Sequence, residues 1–293
     1  MSIEIRHAEA EVNGVRLHYA AAGAGSLVMF VHGFPEFWYE WRHQLVEFGR
    51  DHLAVAPDMR GYNLSSRPSD LDEYAVPKLV EDIRALAEHL GHRRFTLVAH
   101  DWGGAVAWVF AMLHPDMLER LVLINAPHPG VFARELRDNP VQQKASQYML
   151  LFRSPEAEAV LSADDHQALR QALGEAWTRH FSDEDRRMYL EAWSRPGGLT
   201  GGLNWYRAAR VGPPSPEAPA RSLVDVARLP VIEVPTLVIW GEQDRALTTG
   251  NLDGLDQHVR NLTIRRVPDG THWVVHEQPE LIAREIRAFM ARS

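Results

Sequence analysis

Five short stretches of this chain are near-continuous apolar runs: Ser26–Val31, Leu53–Ala56, Phe95–Ala99, Leu121–Ile124 and Thr236–Trp240. A strand with one face in water alternates apolar and polar residues. A strand covered on both faces has no need to, and reads as a continuous run. Helical patterns lie between the runs. Pro77–Leu90 is the clearest, with proline at its start and Gly91 just past its end. Buried strands alternating with helices predict a mostly parallel sheet with helices on both faces. The front of the chain is different. Ile3–His7 and Gly14–Ala20 alternate, and Asn13-Gly14 between them is the strongest short hairpin signal.

The alternation stops after Pro127-His128-Pro129. From about 130 to 226 the text is helical, and it closes on the proline-rich GPPSPEAPA at 212–220. Pro235 then introduces another strand and the earlier pattern resumes. The economical division is one sheet domain, 1–129 with 227–293, interrupted by a helical insertion at 130–226. No internal repeat is evident. A chain of 293 residues can bury a large core without staples, and it has no cysteine. Disulfides, thiolate nucleophiles and cysteine-ligated metals are therefore excluded. A net charge of −8 with no basic stripe argues against nucleic acid. The mixed charges of Arg179–Arg187 read as a solvated helix start. No window has the length and apolarity of a membrane span, and the first residues lack a signal-peptide core. A cytoplasmic setting is the expectation, as a monomer or a homodimer.

The most informative letter is Asp101. Phe95–Asp101 (FTLVAHD) is a buried strand running into Trp102-Gly103-Gly104 and then a helix. Small residues at 99 and 103 allow the strained turn that lifts the central side chain out at the strand's carboxyl end. That elbow usually carries serine. A carboxylate attacking an acyl carbon would give an anhydride, whereas at a saturated carbon it gives an alkyl ester. Water must then cleave the ester, which needs a base and an orienting acid. Val238–Asp244 supplies Asp244 after a strand, with Glu242 as a competitor. Gly270–Trp273 supplies His272 after the strand Leu262–Val267. The order nucleophile, acid, histidine at 101, 244 and 272 is the order this architecture uses. The bland alternative is a helix-capping aspartate and a structural histidine. His272 and His276 are four apart, but the first falls in a loop, so no metal site is predicted.

These residues resemble the α/β-hydrolase-fold epoxide hydrolases, bacterial ones most closely, over nearly the whole chain. The resemblance rests on His32-Gly33-Phe34-Pro35-Glu36 with Trp38-Tyr39 and Trp41-Arg42, on Asp58-Met59-Arg60-Gly61-Tyr62 with Ser65–Pro68, on His100–Gly104 and on Gly270–Trp273. It implies an eight-stranded, mostly parallel sheet with a helical cap, and no cofactor. It implies an oxyanion hole from the backbone N–H groups of Phe34 and Trp102, and a cis peptide before Pro35. It also implies two cap tyrosines, Tyr148 and Tyr206, as donors to the oxygen of an opening epoxide. The substrates expected are a small apolar epoxide and water. Phe34, Trp38, Trp102, Phe152 and Trp205 would line an apolar site.

Haloalkane dehalogenases share the scaffold and the nucleophile. Trp102 occupies their first halide-donor position. Phe34 stands where an asparagine would be the second, and Trp177 and Trp193 are the cap tryptophans that could replace it. A fluoroacetate dehalogenase would carry arginines at 102 and 105, where Trp102 and Ala105 stand. A non-catalytic binding protein on this fold would have lost part of the triad, and a serine esterase would show G-x-S-x-G.

Overall fold

In the computed structural model, which describes residues 3–215 and 218–292, eight strands form one sheet. Pro216 and Glu217 of the proline-rich stretch, and the outermost residues of the two core segments, lie outside the described residues. The strands are β1 (Arg6–Val12), β2 (Val15–Gly23), β3 (Leu27–Val31), β4 (Leu53–Pro57), β5 (Phe95–His100), β6 (Leu118–Ile124), β7 (Thr236–Gly241) and β8 (Leu262–Val267). Their order is β1-β2-β4-β3-β5-β6-β7-β8. Only β2 runs against its neighbours; the pairs from β4 through β8 are parallel. The Asn13-Gly14 turn joins β1 to β2 with φ of 48° and 76°, the left-handed pair that a tight hairpin needs. The first strand starts at Arg6, later than the alternation predicts, and continues to the turn.

β5 lies between β3 and β6, and every residue of β5 is buried, as its apolar run requires. Helices α1 (Arg42–Phe48), α2 (Val76–His89) and α3 (Asp101–Leu113) belong to the sheet's flanking layers. Pro77 sits in the first turn of α2, and Gly91 follows its end at φ 82°. Between β6 and β7 the chain makes α4 (Pro129–Asp138), α5 (Pro140–Ala145), α6 (Tyr148–Arg153), α7 (Ala157–Leu173), α8 (Asp183–Ser194) and α9 (Gly198–Ala209). This is the helical cap. Among the described residues it adds no strand to the sheet, only isolated bridges at Gly212–Arg221 and Ser215–Ala218. Ser182 caps α8 through a reciprocal bond with Asp185, which accounts for the mixed charges there. The chain ends with α10 (Val274–Glu277) and α11 (Pro279–Met290).

The cap is held on the core by close backbone approach and by indole N–H groups. A Cβ at Gly201 of α9 would overlap the Gly61 carbonyl, so α9 can lie directly on that loop. Trp205 donates to Arg60 O at 3.0 Å and Trp193 to Pro35 O at 2.8 Å. Tyr189 of α8 donates to Glu36. Among the described residues no helix is long and apolar enough to cross a membrane.

Candidate active site

The site lies where open parallel sheets place ligands, at the carboxyl ends of the strands. Asp101 follows β5 directly and has φ 49°, a left-handed conformation costing about 1 kcal/mol for a residue with a Cβ. Gly103 makes the turn possible, because a Cβ there would collide with the Val31 carbonyl of the neighbouring strand. The elbow aims the Asp101 carboxylate at the turn after β3, where Phe34 N–H donates to Oδ1 at 2.8 Å. The Phe34-Pro35 peptide is cis. Trp102 N–H lies in the first turn of α3, where backbone donors lack intrahelical acceptors.

Asp244 and His272 come to the same place from the loops after β7 and β8. His272 Nδ1 lies 2.6 Å from Asp244 Oδ2, and its Nε2 lies 3.6 Å from Asp101 Oδ2. The first is a short charge-assisted bond; the second is ion-pair contact beyond hydrogen-bond reach. Asp244 also accepts from Ala246 N–H at 2.7 Å, Leu247 N–H at 2.9 Å and Asn125 Nδ2 at 2.8 Å. Glu242, its competitor in the sequence, instead pairs with Arg266 at 2.8 Å on the surface. His276 faces Glu36 and Tyr189, so it does not share a centre with His272.

Tyr148 of α6 and Tyr206 of α9 come down from the cap on the opposite side. Their ring centroids are 6.4 Å apart, and Tyr206 packs edge-on against Trp102, Phe34 and Phe152. Asp101, Trp102, Tyr148, Phe132, Met149 and Leu247 enclose a cavity of about 50 Å³. Asp101, Trp102 and Tyr148 line this space directly. His272 and the Phe34 N–H meet Asp101 from the core side, and Tyr206 packs behind Trp102, Phe34 and Tyr148 rather than on the cavity surface.

Residues 26–279 match the family described as alpha/beta hydrolase fold. Epoxide hydrolase 2 of Caenorhabditis elegans is 35% identical over 97% of this chain and 79% of its own. An AB hydrolase superfamily protein of Bacillus subtilis is 39% identical over 95% of each. The structure of a Bacillus megaterium epoxide hydrolase variant with its naphthyloxy-propanediol product superposes with a TM-score of 0.91 at 38% identity, covering 97% of this chain and 100% of that one. The chain belongs to the α/β-hydrolase-fold epoxide hydrolases.

The charges of the enzyme's site follow from its contacts. Burial alone would raise the Asp101 carboxyl, but His272 and the Phe34 N–H outweigh it and hold Asp101 below the usual range. Burial alone would lower His272. Asp244 and Asp101 more than reverse this, and the ring is raised well above its ordinary value. Both phenols are pushed well up. For Tyr148 the causes are burial and then Asp101; for Tyr206 they are burial, then Tyr148 and Asp101. These directions favour the ionised form of Asp101, the protonated ring of His272 and the neutral phenols of Tyr148 and Tyr206.

Some of the aromatic residues sit apart from the cavity. Trp38 donates its backbone N–H to Asp58, and its ring faces a second cavity of about 400 Å³, with His7, His18, Met188 and Arg195. The short turn of Trp38–Trp41 directs it away from Asp101 although the motif places it close in sequence. Trp205 stands behind the wall, stacked edge-on to Trp102 and Tyr62. Of the cap tryptophans, Trp193 spends its N–H on Pro35, and Trp177 stacks on Trp193. Asn125 was not legible as a site residue. It follows β6 at φ 40°, and its amide joins Asp244 to Gly241. Phe132 and Met149 were also missed, because helical apolar residues look alike whether they face a core or a substrate.

Proposed function

We propose that the enzyme converts an epoxide and water to a vicinal diol in two steps, with Asp101 as nucleophile. An Asp101 oxygen bonds to an epoxide carbon as the ring C–O bond breaks. Tyr148 and Tyr206 hydrogen-bond the departing oxygen, which takes a proton from the phenol pair; solvent restores it. Esterification removes a charge that favoured protonated His272, so the ring gives up its proton to solvent, matching the one solvent returns to the phenol pair. Neutral His272, oriented by Asp244, then takes a proton from water as the water oxygen adds to the Asp101 carboxyl carbon. The tetrahedral oxyanion is held by the N–H groups of Phe34 and Trp102. A donor of this kind is worth ~3–4 kcal/mol. Collapse breaks the bond to the diol oxygen, which takes the proton of the added hydroxyl, and restores the Asp101 carboxylate with His272 again protonated.

The observation that carries this reading is the carboxylate elbow opposite two protonated phenols. The dehalogenase reading loses support because the indole N–H of Trp193 is already used inside the protein. The related bacterial structure with a naphthyloxy diol supports aryl glycidyl ethers as the substrate class. We place the cap at 130–226 and the core at 1–129 and 227–293. Single-turnover hydrolysis in heavy-oxygen water tests the covalent route. The label should enter Asp101 and stay out of the first diol released; label in that diol would rule the ester out.

A further inference from the structure

Behind the nucleophile lies a group of buried titratable side chains that the two steps do not use. Glu36, Glu40, His100 and His276 are all buried. Glu36 has partners for both oxygens: Tyr189 O–H at Oε2, and His276 Nε2 3.1 Å from Oε1. Glu40 has one neighbour. Its Oε1 lies 2.6 Å from His100 Nδ1, a contact too bent for a ring N–H donation, and neither oxygen has another partner among the described residues. The other nitrogen of His100, Nε2, is 2.9 Å from the backbone carbonyl of His272.

Proton counting limits what this pair can be. A carbonyl oxygen only accepts, so Nε2 of His100 must carry a proton. If the ring is neutral, Nδ1 is a lone pair and Glu40 must bring the proton between them. If Glu40 is ionised, His100 must be an imidazolium, and a fully buried carboxylate would be left with a single poorly aligned donor beside anionic Glu36. The groups facing the pair are Glu36, Tyr189 of α8, His276 of α10, His272 and Asp101. Burial, and then the charge of Glu36, push the Glu40 carboxyl well above its usual range. Burial, and then His272, bring His100 down to about 4. Both directions favour the neutral acid beside the neutral ring.

We propose that Glu40 is a positioning residue: as a carboxylic acid it donates to His100 Nδ1, locks His100 in the Nε2–H tautomer, and through that N–H holds the backbone of His272 where its ring spans Asp101 and Asp244. The role rests on the reading of His272 as the base of ester hydrolysis. Glu40 acts through two other residues and touches no reacting atom.

Two variants and one spectrum test this. Glu40→Gln keeps an N–H donor for Nδ1, whereas Glu40→Leu removes it. With an aryl glycidyl ether in single turnover, Glu40→Leu should accumulate alkyl-enzyme, hydrolysing it up to ~10²-fold more slowly, the scale of a 1 Å misplacement. Alkylation should change far less. Glu40→Gln should restore hydrolysis, with its pH midpoint unmoved, because one neutral donor replaces another. Were Glu40 ionised, that substitution would delete a negative charge near His272 and move the midpoint to lower pH. Infrared spectra of the resting protein should show a protonated-carboxyl band that Glu40→Gln abolishes. A midpoint moved by Glu40→Gln, unchanged hydrolysis in Glu40→Leu, or a missing band each overturns the proposal. If Glu40→Leu does not fold, the glutamine variant and the band still decide it. Failure of the wild type to form any adduct would instead overturn the two-step reading, while the band continues to report on Glu40.

Discussion

The two walls of the active site are built on different physical principles. The core wall is a hydrogen-bonded array: Asp244 alone accepts from Ala246, Leu247, Asn125 and His272. Its donors and charges are fixed by the segments that follow β3, β5, β6, β7 and β8. The cap wall is packed aromatic rings, with Phe152 5.1 Å from Tyr206 and 5.2 Å from Tyr148 between centroids. Charge that must develop at one point is best met by fixed dipoles that need not reorganise. A neutral phenol has a weaker demand on position, so it can ride on helices whose packing also shapes the substrate pocket. The core wall thus presents charges and fixed donors, and the cap wall presents two phenols set in packed rings.

Disabling each wall should produce a different kinetic failure. The largest effect belongs to the core. Asp101→Ala should form neither adduct nor diol, a loss of ~10⁴-fold or more by analogy with other covalent nucleophiles. His272→Gln should still alkylate and then stall, so mass spectrometry of the intact protein should find the ester. If both variants trapped the same adduct, Asp101 would not be the attacking group.

The cap should fail earlier in the cycle. Tyr148→Phe and Tyr206→Phe remove only the hydroxyl, so the ring packing survives. Each should slow alkylation by ~10²–10⁴-fold, the usual contribution of a positioned general acid, and leave ester hydrolysis nearly unchanged. Rapid-quench separation of the two steps reads this directly. A tyrosine variant that slowed only hydrolysis would break the division between the walls.

The same division explains what could be read from sequence. β3 through β7 announce themselves as apolar runs, and a catalytic residue placed after such a run inherits its position. The placement of Asp101 and Asp244 at one sheet end was legible for that reason, and that of His272 from the chain order nucleophile, acid, histidine. Tyr148 and Tyr206 came only from family resemblance, since a helical tyrosine has no local mark of its role. Asn125 and Glu40 were hidden for another reason. Their partners, Asp244 and His100, are distant in sequence, and a buried polar contact has no period to reveal it. Trp38 shows the converse error: closeness to Phe34 in a motif does not set which way a ring points. The start of β1 was blurred because an exposed edge strand tolerates many residues.

The smallest predicted effect is a displacement on the pH axis, and it joins the two half-reactions. In the resting enzyme the negative charges of Asp244 and Asp101 raise His272 well above its ordinary value. A group raised on folding stabilises the native state below its unfolded pKa, and that contribution is lost as pH rises through the folded value. Esterification deletes the Asp101 charge but leaves the Asp244 bond. The folded pKa of His272 must then fall, since one of the two charges opposing burial has gone. Only the neutral ring can accept the proton of water, so ester hydrolysis should rise with pH through this lower value. The midpoint of the hydrolysis step, followed by rapid quench, should therefore lie below the His272 titration seen by NMR in the free enzyme. Asp101→Asn, which copies the neutral ester without a substrate, should lower the NMR midpoint in the same direction. Equal midpoints in all three measurements would mean that Asp101 exerts no hold on the base, and that the core wall is not the coupled array its distances describe.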